Sequence, residues 1–113
     1  MHPRELSDSH VRLLEQLVAA GFEIVSFPLF SAQIGVRKGN CAALLEPRTG
    51  QGFEIVGGPT FLVAGQLSAP VEGTDGVSFV WKKERVAATP ERLAELRGFE
   101  IRLQSLLTRH QIV

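Results

Sequence analysis

The hydrophobic pattern of the chain has three parts: a helical stripe near each end and short alternating segments between them. Between residues 22 and 81 no stretch has helical periodicity. Turn-forming residues divide this region at positions 37–40, 48–52, 57–59 and 72–76. Turns spaced this closely leave no room for crossover helices, so consecutive strands must return antiparallel to one another.

An amphipathic helix is predicted over residues 9–20. Ser7 or Asp8 can cap its first turn, and Gly21 suits the left-handed position that commonly ends a helix. Apolar residues recur on one face of this segment, among them Leu14, Leu17 and Val18. This face must be buried against the rest of the protein.

A second helix has a clear start, because Thr89 can cap it and Pro90 suits its first position. We predict that it runs to about residue 110. Arg109 and His110 lie at this end, where the helix dipole favours positive charge. Its apolar face comprises Leu93, Leu96, Phe99, Leu103, Leu106 and Leu107. The sheet is the only large apolar surface on which such a face can pack.

About six strands are predicted between the helices, over residues 22–27, 30–37, 41–46, 53–56, 61–71 and 77–82. Residues 41–45 are apolar on both faces, which is typical of a central strand. Gly65 lies in an inward-facing phase, which indicates a bulge, a sharp bend or a close packing partner. The predicted inward positions are Ile34, Val63, Leu67, Phe79 and Trp81.

These elements predict an α+β fold. The sheet is expected to be a strongly curved antiparallel meander, roll-like, with the C-terminal helix across its concave face. An open sheet with both helices on one side is the alternative. At 113 residues, the chain is expected to form one domain over residues 1–113, with residues 1–7 frayed.

Composition excludes several classes of partner. Lys plus Arg and Asp plus Glu both number 12, so the net charge gives no basic excess for binding nucleic acid. No apolar run approaches the roughly 20 residues that cross a bilayer, so no membrane association is expected. The first residues lack the apolar core of a signal peptide, and the single cysteine, Cys41, cannot form an internal disulfide. We therefore expect a cytoplasmic protein.

Candidate catalytic and metal-binding residues are few. Cys41 has no histidine at a motif spacing that would activate it, so a structural role is favoured over a nucleophilic one. His2, His10 and His110 lack metal-ligand spacing, and we predict no metal site and no cofactor. A carboxylate pair acting as acid and base would have to come from Glu23, Glu46, Glu54 and Glu72.

Two further patterns favour ordinary structural roles. Residues 81–85 join an aromatic to basic side chains, a combination that can bind single-stranded nucleic acid. On a strand, however, Lys82 and Lys83 would point to opposite faces, so a solvated strand end is favoured. The glycine-rich segments at 48–52 and 57–60 lack the Gly-Lys-Ser/Thr of a phosphate-binding loop and open no helix. We interpret both glycine-rich segments as turns.

Ile101, Ile112 and Val113 fall outside the apolar face of the second helix. Either Ile101 contacts the first helix, or these residues form the interface of a homodimer. The favoured function is a non-enzymatic binding or assembly module that acts through self-association or an unidentified protein partner.

Two other functions are weighed against this one. The alternative is a carrier of a small apolar ligand, with a pocket between the curved sheet and the C-terminal helix. The room inside would be left by small residues, namely Gly65, Ala32, Ala42, Ala43, Ala64 and Ala69. An enzyme that uses Cys41 or a carboxylate pair ranks last.

Overall fold

The structure, a computed structural model, describes residues 6–49 and 51–111. Two helices flank eight strands, which form two antiparallel sheets. The elements are α1 (Asp8–Ala19), β1 (Glu23–Val25), a 3-10 helix (Pro28–Phe30), β2 (Ile34–Lys38), β3 (Cys41–Pro47), β4 (Phe53–Val63), β5 (Gln66–Leu67), β6 (Ala69–Gly73), β7 (Gly76–Trp81), β8 (Glu84–Ala87) and α2 (Pro90–Gln111). The larger sheet is strongly curled into a half-barrel, which confirms the predicted α+β fold with a curved antiparallel sheet.

Local side-chain chemistry sets both ends of α1, within one residue of the prediction. Ser7 caps the helix: its hydroxyl accepts from His10 N at 3.3 Å, and His10 Nδ1 accepts from Ser7 N at 3.0 Å. At the other end Gly21 takes φ +97°, and Phe22 N donates to Leu17 O at 3.0 Å. This is the Schellman ending that the glycine indicated.

Strand β3 is the centre of the five-stranded sheet, whose order is β1-β2-β3-β4-β5. Cys41 and the four residues after it are all buried, so the prediction of a strand covered on both faces is confirmed. Cys41, Ala43 and Leu45 belong to the main core, together with residues of both helices. Ala42 and Leu44 face a smaller core on the other side of the sheet, beside Phe27.

The first two predicted strands are shorter than the alternation indicated. Pro28 opens a 3-10 helix, in which Phe30 N donates to Phe27 O at 2.8 Å. The segment that carries Phe30 and Ala32 is therefore not extended, and β2 begins only at Ile34. Proline fixes φ near the helical value, which outweighs the apolar alternation that follows it.

The turn predicted at residues 57–59 is wrong, because these residues belong to strand β4. Gly57, Gly58 and Pro59 lie inside this strand, and the register with β3 shifts between Ala42 and Leu45, which marks a β-bulge. The Gly58–Pro59 peptide bond is cis. These residues bend β4 around β3 without ending it, because pairing with β3 resumes beyond the bulge.

The continuous strand predicted over residues 61–71 is also wrong. Ala64 and Gly65 have positive φ values of 52° and 74° and form a two-residue hairpin turn. Strand β5 returns from this turn to pair with the end of β4, and β6 then starts a different sheet. Gly65 therefore marks a sharp bend, and no atom lies within 4 Å of a Cβ placed there.

The second sheet has the order β6-β7-β8, and β8 was not predicted. Lys82 and Lys83 form the turn between β7 and β8, since Trp81 pairs with Glu84. The expectation that these lysines alternate along a strand is therefore wrong. Phe79 of β7 stacks on Phe61 of β4, with ring centroids 5.3 Å apart, and this contact joins the two sheets.

Helix α2 begins as predicted, since Thr89 Oγ1 accepts from Arg92 N at 3.3 Å. Its middle and end are buried in the main core through Phe99, Leu103, Leu106 and Leu107. The Glu95 carboxylate anchors the helix over the β2–β3 turn by accepting from Asn40 N at 3.0 Å. The first turns differ from the predicted buried stripe: Leu93 is exposed and Leu96 is half-buried, because this end of α2 lies beside an opening between the sheets.

No helix within the described ranges is long and apolar enough to span a membrane.

Candidate binding cleft

An open cleft of about 880 Å³ lies between the two sheets. This volume is within the range of roughly 300–1,000 Å³ that small-molecule pockets span. One wall is the bulged part of β4, and the opposite wall is formed by β6 and β7. The first turns of α2 and the segment after the 3-10 helix close the sides. Its large apolar lining includes Phe30, Val56, Val77, Phe79, Trp81 and Leu93.

The lining carries large apolar side chains that are not buried by the fold. Phe30 is 41%, Val56 43%, Val77 39% and Leu93 47% exposed. Phe79, at the base, is only 3% exposed, so the cleft opens above a packed core. Contiguous apolar area of this kind marks binding surfaces more often than isolated exposed residues do.

The floor of the cleft depends on the two glycines of the β4 bulge. A Cβ on Gly57 would lie 2.8 Å from the Leu44 side chain, and a Cβ on Gly58 would lie 3.0 Å from Ala42 O. The main chain of β4 therefore approaches β3 closely. Side chains at these two positions would meet β3 and β4, so glycine is what permits this close approach at the wall of the cleft.

The two hydroxyl groups of the lining already use their hydrogens, and its amide side chain uses one of its two N–H donors. Thr60 Oγ1 donates to Ser68 O at 2.8 Å, and Ser68 Oγ donates to Phe61 O at 2.5 Å. Gln33 Nε2 donates to Glu46 Oε2 at 3.1 Å. Lys82 is the one charged residue among the described residues that line the cleft, and its Nζ lies 4.7 Å from the Trp81 ring centroid.

The predicted pocket between sheet and helix corresponds to this cleft only in part. Helix α2 contributes Leu93 and Leu96 to the lining. The walls belong to two separate sheets, whereas the prediction had one meander sheet. Of the small residues expected to leave room, Ala69 lines the cleft, while Ala42 and Ala43 are packed in the two cores. Strand β8 had no local sign in the sequence, since the turn before it consists of Lys82 and Lys83 and has no typical turn-forming residue.

Cys41 lies in the main core and is fully buried. Burial, with a smaller contribution from the Glu95 carboxylate, raises the pKa of its thiol to about 12. The thiolate is the nucleophilic form, so at neutral pH this side chain is a protonated, inert core group. The geometry gives Cys41 no catalytic environment.

The raised pKa of Cys41 predicts a specific loss of stability in alkali. The unfolded chain releases the thiol proton near the ordinary value of 9.0, whereas the folded chain holds it until about 12. Because the folded state then binds more protons, stability falls as pH rises through this window, by about 1.4 kcal/mol between pH 8 and pH 10. Urea denaturation at both pH values should show this loss in the wild type and not in Cys41→Ala, and parallel losses would contradict it.

His10 is the histidine whose side chain lies within the described part of the chain. His10 is buried, with its ring edge-on to Phe53 at 5.1 Å, and its Nδ1 is used by the α1 cap. His2 and the side chain of His110 lie outside the described residues. Within the described part of the chain, no group of three or more His, Cys, Asp or Glu could hold a metal ion.

Two of the candidate carboxylates are brought together. Glu46 and Glu54 are direct cross-strand partners on β3 and β4, which sequence spacing alone did not indicate. Neither of them lines the cleft. Glu23 on β1 lies opposite Arg37 in the register with β2, and Glu72 lies on the exposed strand β6. The cleft therefore gives the paired carboxylates no enclosed space in which to act on a substrate.

Ile101 is 58% exposed on α2. It lies in a shallow groove whose other lining residues all belong to α2: Glu100, Gln104, Ser105 and Thr108. Ile112 and Val113 lie outside the described residues. The homodimer interface at these residues therefore stays a prediction.

No protein-family model, curated protein or solved structure matches the chain. Function is therefore inferred from the geometry of this protein alone. The cleft combines the volume and the exposed apolar lining that a binding site requires, with walls from two sheets and one helix.

Proposed function

We propose that this protein is a non-enzymatic binding module, and that the cleft between its two sheets carries a small apolar ligand. The observation behind this proposal is the group of large, partly exposed apolar side chains that converge on one cleft: Phe30, Val56, Val77 and Leu93. Covering such side chains releases free energy in proportion to the apolar area removed from water. A bound apolar molecule provides that cover.

An extended protein segment is the competing occupant, since part of one edge of β4 pairs with no strand in the described part of the chain. Strand β5 pairs only with Leu62 and Val63, so this edge extends over residues 54–60 on the side of β4 away from β3. The bulge and Pro59 interrupt this edge, however. Proline has no N–H to donate, and bulges are a common means of blocking strand addition. We therefore favour a small molecule over an added strand.

Catalysis has less support than binding. Cys41 is protonated and buried in the main core, and the Glu46–Glu54 pair lies outside the cleft.

Self-association through Ile101 is a separate proposal, supported by its 58% exposure. Light scattering that gives the mass of two chains would support it, and a monomer mass would remove it. A cytoplasmic location stays a prediction.

The binding proposal is tested with a neutral apolar fluorescent probe, Nile red, and two matched variants. Val77 and Val71 lie on neighbouring strands, at 39% and 41% exposure, but only Val77 lines the cleft. Because Val71 pairs with Ser78, its side chain points to the other face of the sheet. Val77→Glu should weaken probe binding by about tenfold, since it places a carboxylate among apolar groups, whereas Val71→Glu should leave binding unchanged.

Circular dichroism should confirm that both variants retain the fold. Failure of the wild type to bind the probe would overturn the proposal. An equal loss of affinity in Val77→Glu and Val71→Glu would also overturn it, because the probe would then be binding elsewhere.

A further inference from the structure

We propose that the ligand of the cleft is an amphiphile with a single carboxylate, whose apolar body lies between the sheets and whose head group pairs with Lys82. This inference rests on the proposed function and names the chemical class of its ligand. It depends on three features of the lining: where its positive charge lies, how its other polar groups are used, and how many cations it holds.

The positive charge of the lining is confined to the β7–β8 turn. Lys82 is the one charged group among the described residues of the lining, and no carboxylate lines the cleft beside it. Pairing of Trp81 with Glu84 defines the turn, and Lys82 Nζ lies 4.7 Å from the Trp81 ring centroid. The aromatic face is itself part of the cleft wall. The ammonium group is thus held beside the apolar lining, where a cation–π contact favours it.

The remaining polar groups of the lining favour a charged head group over a neutral one. The hydrogens of Thr60 Oγ1 and Ser68 Oγ go to main-chain carbonyls, and Gln33 donates to Glu46. An alcohol or amide head group therefore finds few free donors there. A carboxylate instead accepts from the Lys82 ammonium, which carries three N–H donors and a full charge.

The charge of the head group follows from the number of cations in the lining. Lys82 stands alone there, whereas the neighbouring Lys83 does not line the cleft. One ammonium neutralises one negative charge, so a doubly charged phosphate would keep an unpaired charge beside apolar walls. A monocarboxylate of an alkyl chain satisfies both the wall and the single cation.

The test measures displacement of Nile red by dodecanoate, dodecanol and dodecylammonium, the two ions below their micellar concentrations and the alcohol below its solubility. Dodecanoate should displace the probe from the wild type at concentrations about threefold to fivefold lower than dodecanol, a ratio typical of one partly exposed ion pair. Dodecylammonium should be the weakest competitor. Lys82→Gln should abolish the preference for dodecanoate over dodecanol.

Lys83→Gln is the matched control, because it removes the same charge from the same turn at a position outside the lining. It should keep the wild-type preference and bind Nile red as the wild type does, and in each variant the preference is taken as the ratio of the two displacing concentrations. Equal displacement by dodecanoate and dodecanol in the wild type, or equal loss of preference in both variants, would overturn the inference while the apolar cleft stands. Absence of Nile red binding would instead overturn the proposed function itself.

Discussion

Replacing Gly58 by alanine is expected to destabilise the protein by about 2–4 kcal/mol, because two costs add at this position. Its φ of +73° is a conformation that costs an alanine about 1–2 kcal/mol. The new Cβ would also lie 3.0 Å from Ala42 O and from Thr60 N. Both are main-chain atoms of paired strands, so they cannot rotate away as a side chain would.

Gly65→Ala is the control that separates these two costs. Gly65 has nearly the same φ, +74°, but nothing lies within 4 Å of a Cβ placed there. It should lose only about 1–2 kcal/mol, the conformational cost alone. Urea denaturation with comparable m-values would measure both losses. Equal losses in the two variants would show that β4 does not approach β3 as closely at the bulge as described.

Leu103→Ala should cost about 2–5 kcal/mol, because it deletes a large side chain from a packed interior. Leu103 is 0% exposed and belongs to the same core cluster as Cys41, Ala43 and Leu45 of the central strand. Removing its methyl groups leaves a cavity beneath α2 that the surrounding side chains fill only in part. Thermal or urea denaturation measures the loss.

Ile101→Ala is the control for this variant, two residues away on the same helix. Its side chain is 58% exposed, so truncation should change stability by less than about 0.5 kcal/mol. Comparable losses in the two variants would contradict the described orientation of α2. Measuring both at two protein concentrations also tests the proposed homodimer, since the stability of a dimer depends on concentration.

The elements predicted correctly are those that short-range chemistry determines. Ser7 and Thr89 cap the two helices with their own hydroxyls, and Gly21 ends α1 in the conformation its missing Cβ allows. The β2–β3 hairpin has its turn at Gly39 and Asn40, within the predicted segment. Each of these features depends on contacts within a few residues, so the local sequence contains the information needed to predict it.

The wrong predictions concern segments whose local signs fit more than one structure. A Gly-Gly-Pro segment is typical of a turn, yet at residues 57–59 it forms a bulge because β4 pairs with β3 on both sides of it. Residues 61–71 alternate like one strand, yet the chain turns back at Ala64 and Gly65. In both segments the choice depends on pairing with a distant strand, which no local pattern reports.

The sequence by itself determined the helix–sheet–helix order, the doubly apolar central strand and the lack of an activating partner near Cys41 in the chain. Only the tertiary structure decided that the strands divide into two sheets, joined where Phe61 stacks on Phe79. The cleft follows from that division, because its walls come from β4 and β7, which are separated along the chain. Periodicity specifies which face of a strand is apolar, but which other surface meets that face depends on how the whole chain packs.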